Sequence, residues 1–158
     1  MGISQTHGDI IAHLFHLSGL GTNLPLTDDA RALALRSMQF FERTVFAHHQ
    51  AEEQRLFPLV LAQSADGAER EYLDTMIAKL TGEHRRIEAL WTRLENLLKE
   101  LLEGRGNAAI DGLIQELALD YGDHATDEEA RFLPLCQEVL GRGGATPTAA
   151  ELLHQPAA

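Results

Sequence analysis

Residues 48–59 read His-His-Gln-Ala-Glu-Glu-Gln-Arg-Leu-Phe-Pro-Leu, and residues 124–135 read His-Ala-Thr-Asp-Glu-Glu-Ala-Arg-Phe-Leu-Pro-Leu. At an offset of 76 residues the two stretches superpose His48 on His124, Glu52 on Glu128, Glu53 on Glu129, Pro58 on Pro134 and Leu59 on Leu135. The same offset carries Met38 onto Ile114, Phe41 onto Leu117 and Val45 onto Tyr121. A repeat of this length is the mark of a duplicated structural unit.

Working outward, each stretch lies on a helical stripe. Ala34, Met38, Phe41, Val45, His48, Glu52, Leu56 and Leu59 follow one another at spacings of three or four, as do Ile114, Leu117, Tyr121, His124, Glu128, Phe132 and Leu135. Leu73, Met76, Leu80, His84, Ile87, Trp91, Leu94, Leu98 and Leu101 make a third stripe. That spacing puts each set on one face of a helix. Punctuation divides the chain into four helical segments. The first runs from about Gln5 to Leu20 and ends in the loop Gly21-Thr22-Asn23-Leu24-Pro25. The second follows Thr27, an N-cap with Asp28 and Asp29 behind it, and reaches about Gln63. Asp66 and Glu69 suggest a capping box for the third, which stops at Gly104; Asn107 caps the fourth, which reaches about Leu140. The predicted fold is all-α, an up-down-up-down four-helix bundle with an internal two-fold pseudo-repeat. It occupies residues 1–140, with 141–158 as a flexible tail that has a possible turn at Thr148–His154.

Composition narrows the function. The 158 residues carry a net charge of −11 and no basic stripe, which argues against nucleic acid as a partner. Cys136 is the single cysteine, so no internal disulfide forms. The chain shows neither a signal-peptide pattern nor an apolar run of spanning length, so the expectation is a cytoplasmic protein without a membrane partner.

The chemistry lies in what interrupts the stripes. A buried carboxylate must be paired, protonated or bound to a metal. Each Glu here follows a His by four residues, so the two side chains sit one turn apart and converge. One His-x-x-x-Glu is ordinarily a surface ion pair, but two at matching positions of duplicated interior stripes are not. Imidazole nitrogen with carboxylate oxygen suits iron, manganese or zinc. His84 adds a donor from the third stripe. The first segment offers His7, His13 and His16. His7 precedes His48 by 41 residues, as His84 precedes His124 by 40, and Ile10, Leu14 and Leu17 follow His7 at the offsets of Ile87, Trp91 and Leu94 after His84. This spacing favours His7 and leaves His13 as the alternative, with His16 a neighbour. His49, Glu53 and Glu129 point about 100° away from the ligand faces; solvent is favoured for them over a role behind the ligands. Tyr121, one turn before His124, reads first as a core aromatic and second as a hydrogen-bond donor near the metal.

The segments 48–58, Glu83–Ile87 and 124–134 resemble the hemerythrin-like, or HHE cation-binding, domain family over about residues 5 to 140. The resemblance implies a non-haem centre of two iron ions, bridged by the two carboxylates and commonly by an oxo or hydroxo group. By motif position its metal ligands are His7, His48, Glu52, His84, His124 and Glu128. Oxygen-carrying members have a second histidine four residues after the one at His84; this chain has Glu88 there, so simple oxygen carriage is in doubt unless His13, His16 or Glu88 itself fills the place. The expectation is a di-iron protein that binds, senses or reacts with O2, peroxide or nitric oxide. The alternative is an iron-binding, iron-sensing or stress-response module without turnover, and whether the protein is an enzyme stays open.

Overall fold

A computed structural model describes residues 3–22 and 24–142. Four helices run up and down: α1, Ile3–His16; α2, residues 28–63; α3, Ala68–Leu102; and α4, residues 109–141. Among the described residues there is no strand, and no helix is long and apolar enough to cross a membrane. α4 packs against α1 and α3, and α2 closes the ring against α1 and α3. The proposed tail turn at Thr148–His154 lies outside the described residues.

Local signals explain the helix ends. Thr27 caps α2 by accepting the Ala30 N–H at 3.2 Å, and Asn107 accepts the Ala109 N–H at 2.9 Å to start α4. Asp66 is not the cap of α3. Gly67 is, at φ 89°, while Glu69 reaches back to accept the Ala65 N–H at 2.8 Å. The turn after α1 is pressed onto the turn before α4. Asn107 N–H donates to the Gly21 carbonyl at 3.2 Å, and a Cβ on Gly21 would lie 2.6 Å from the Asn107 carbonyl oxygen, so only glycine fits there.

α2 widens into a π turn already at Glu42–Phe46, where the stripe residues Val45 and His48 stay buried, and the stripes hold until they reach the two glutamates. At Glu52–Leu56 and again at Glu128–Phe132 the helix widens into a π turn: Phe57 N–H donates to the Glu52 carbonyl and Leu133 N–H to the Glu128 carbonyl, five residues back. The next residues are Pro58 and Pro134, which have no N–H to donate and whose rings crowd the carbonyl four residues earlier. A π turn just before proline relieves that crowding, and such turns recur at functional sites. The extra residue rotates everything after it. Val60 and Cys136 are therefore fully buried, whereas Leu59 and Leu135, expected on the stripe, are only partly covered.

The core consists of two apolar layers. One holds Leu14, Phe41, Trp91, Leu94 and Leu117, with Phe41 stacked on Trp91 at 3.8 Å. The other holds Leu56, Val60, Leu80, Phe132 and Val139. Between them lies a slab of buried polar groups, and this is where the repeat motifs meet.

Candidate metal centre

All six residues expected as ligands converge in this slab. His7 and His48 are buried, and Glu52, His84, His124 and Glu128 are at most 1% exposed. Of the α1 histidines it is His7 that enters the slab, with Nε2 3.1 Å from His48 Nε2. His13 instead stacks on Phe40 at 4.1 Å, and His16 is exposed. Glu52 places one oxygen 3.2 Å from His48 Nε2 and the other 3.2 Å from His84 Nε2, so it spans the two halves of the repeat. Glu128 Oε2 lies 3.2 Å from His7 Nε2, 3.7 Å from His124 Nε2 and 3.9 Å from His48 Nε2.

The residues next to the ligands, although the glutamates among them are partly exposed, turn polar atoms toward the ligands. Glu129 accepts the His7 Nδ1–H at 2.8 Å, and Glu53 accepts the His84 Nδ1–H at 2.8 Å. Glu83 does the same for His124 at 3.2 Å. His49 is 1% exposed, stacks on His84 with ring centroids 4.0 Å apart, and donates from Nδ1 to Glu88 at 3.0 Å. The sequence reading weighed a role behind the ligands for His49, Glu53 and Glu129 but favoured solvent, because it assigned each helix a single narrow stripe. A helix in a four-helix bundle packs against two neighbours, so its covered face extends well beyond 100°.

These outer bonds decide the chemistry of the inner atoms. An ionised carboxylate only accepts, so each held Nδ1 carries a proton, and in the neutral form of such a ring the lone pair is at Nε2. The inner atoms of His49, Glu52, His84, His124 and Glu128 have no hydrogen-bond partner among the described residues. Acceptors therefore face acceptors in a site without water-facing walls. A cation satisfies such a set, and carboxylate-held imidazoles are the usual arrangement around a bound metal. Three overlapping groups of donor atoms each lie within 4.8 Å: His49, His84 and His124; His7, His124 and Glu128; His48, Glu52 and Glu128.

Without a cation the same groups share protons unevenly. Burial holds His48 down at about 3 and pulls His84 and His124 below the ordinary imidazole value of 6.5. Burial and the facing Glu128 push Glu52 up. Glu128, which burial alone would raise, is held down to about 2 by the neighbouring His7, Glu52 and His48. The direction of acid stability follows. On unfolding, His48, His84 and His124 regain the ordinary imidazole affinity for protons, while Glu52 loses the affinity that burial lends it. More groups gain protons than release them, so stability falls as pH falls through 6.5. His7, whose value is raised by its glutamates against burial, opposes this only near and above pH 6.5. Chelator-treated protein should melt lower at pH 5.5 than at pH 6.5, read as Tm by circular dichroism. A Tm that is flat or rises over this interval would contradict the assigned protonation states.

No curated relative and no solved structure matches the chain. The family model of the hemerythrin HHE cation-binding domain matches residues 3–136, nearly the whole bundle, with every motif of the buried slab inside it. With that match and this geometry, the chain belongs to the hemerythrin HHE cation-binding domain family.

Proposed function

We propose that the protein holds two iron ions between its two apolar layers, and that this centre binds, senses or reacts with O2, peroxide or nitric oxide. The observation that carries the reading is the excess of inward acceptors. Three donor groups share His124 and Glu128 between them, which is more than one ion's shell needs and is what two adjacent ions require. His7, His48, Glu52, His84, His124 and Glu128 would hold the ions, with Glu52 spanning both halves. Bound iron would supply the redox chemistry, and the protein its geometry and electrostatics.

The chain's own residues set the conditions. Glu53, Glu83 and Glu129 keep the Nδ1 protons of His84, His124 and His7 and fix the planes of their rings. The apolar layers keep bulk water from the slab. Tyr121 holds a proton at Oη, which is buried without a hydrogen-bond partner among the described residues, and its ring lies 5.6 Å from that of His7 and 5.8 Å from that of His124. It is thus placed as a hydrogen-bond donor to a small molecule entering the slab.

Anaerobic reconstitution with iron(II) followed by plasma mass spectrometry should give two irons per chain. Addition of nitric oxide or O2 to that reduced protein should then change its visible spectrum. Iron at two per chain with no spectral response would overturn the reactivity and leave a metal-occupancy module. Less than one iron per chain would overturn the centre itself.

A further inference from the structure

Among the inward atoms of the slab, one is used neither by the six ligands nor by Tyr121. His49 Nε2 is buried and has no hydrogen-bond partner among the described residues. It lies within 4.8 Å of the donor atoms of His84 and His124, yet it cannot join them on one ion. The His49 ring lies face to face on His84, with centroids 4.0 Å and planes 7° apart. An imidazole lone pair lies in the plane of its ring, so an ion held in the plane of His84 is far out of the plane of His49. The His49 lone pair runs past such an ion and opens onto the space beside it.

That lone pair is fixed from outside. Nδ1 donates to Glu88 at 3.0 Å, and in the neutral ring this leaves Nε2 as the acceptor. Arg85 bonds Glu88 at 2.6 Å and also Glu53, the carboxylate that holds His84, so one guanidinium braces both stacked rings. The repeat supplies an independent observation. In the other half the place of His49 is taken by Ala125, and the places of Glu88 and Arg85 by Ile11 and Gly8. The imidazole and the two residues that hold it are present together in one half and absent together in the other. A ring that only filled the core would serve as well as phenylalanine, which stacks equally and buries no unsatisfied nitrogen. An acceptor kept unsatisfied and held in place by two further residues points to a ligand that donates to it.

We infer that His49 Nε2 accepts a hydrogen bond from the small molecule that enters the slab, and that the molecule it selects is hydrogen peroxide. The inference rests on the metal reading above and picks out one member of its ligand set. Peroxide has an O–H to donate and oxygen lone pairs to accept. Tyr121 offers the donor and His49 the acceptor, and each of their rings lies 5.8 Å from that of His124. O2 and nitric oxide carry no proton, so either would leave Nε2 unpartnered. A site built to hydrogen-bond an O–H discriminates against analogues that lack it. Glu88, which stands where a second histidine of α3 would otherwise be, thus holds a recognition group that comes from α2.

The test compares two probes of the iron-loaded protein oxidised to iron(III). Hydrogen peroxide can donate to His49, whereas azide at neutral pH has no proton to give. Their dissociation constants are read from the visible spectrum on rapid mixing. His49→Phe keeps the stack on His84 and removes the acceptor. It should raise the Kd for peroxide about tenfold, the worth of one such hydrogen bond, and leave that for azide unchanged. Glu88→Gln leaves the ring in place but frees its Nδ1, and should move the ratio of the two constants in the same direction; it decides the matter if the His49 variant fails to fold or to load iron. An unchanged ratio in the loaded variant, whether because neither probe weakens or because both weaken alike, would overturn the assignment of His49 alone. A parent that loads no iron, or answers neither probe, would overturn the reading of the site and this inference with it.

Discussion

With Glu52 and Glu128 both replaced by leucine, the chain is expected to bind no iron, and its metal-free form to melt higher than the parent. Both carboxylates are at most 1% exposed and lie between two apolar layers. In the metal-free protein one is forced toward protonation and the other stays charged among neutral imidazoles, an arrangement that burial makes costly. Leucine has a similar volume and extends the apolar layers through the slab. Replacing buried ionic groups by apolar ones of matching size stabilises by about 1–4 kcal/mol, here roughly 5–10 °C in Tm. Iron per chain and the melting curve must move in opposite senses. A variant that loses iron and also melts lower would show that the carboxylates serve the fold rather than the metal.

The second large effect concerns residues that touch no metal. Glu53→Ala frees the His84 ring and Glu129→Ala the His7 ring, by loss of bonds of 2.8 Å in each case. Removing the carboxylate behind a ligating histidine costs about 10- to 100-fold in metal affinity. The two act on different histidines in different halves, so the double variant should weaken binding by roughly 100-fold or more. Both glutamates are partly exposed, at 23% and 33%, so the fold should tolerate their loss. Competition against a chromophoric chelator measures the effect. Unchanged affinity in both single variants would mean that these bonds do not orient the ligands.

Much of this was legible before any coordinates. The offset of 76 and the three stripes give the helices, their order and the depth of His48, Glu52, His84, His124 and Glu128, because the 3.6-residue period turns spacing directly into direction. Two things were not. The period fails where the helix widens ahead of a proline, so the rotation after Glu52 and Glu128 escaped, although Pro58 and Pro134 were the available signal for it. Direction also does not give coverage. His49 points about 100° from His48 and is nonetheless buried, because α3 stands on that side and His84 offers its ring face. Glu88 was the clue: an acidic residue at that register makes sense only with a partner across the helix pair.

The outer bonds also bear on the origin of the repeat. Glu53 belongs to the first helical hairpin and steadies a histidine of the second, while Glu129 belongs to the second and steadies a histidine of the first. These two braces are exchanged between the halves, while Glu83 holds His124 within the second hairpin, so neither hairpin alone carries a fully steadied set. Such reciprocity is the pattern of an isologous dimer, in which each copy completes the other. The bundle thus has the form of two such copies fused into one chain, with His49, Arg85 and Glu88 marking where, once joined, the copies were free to diverge.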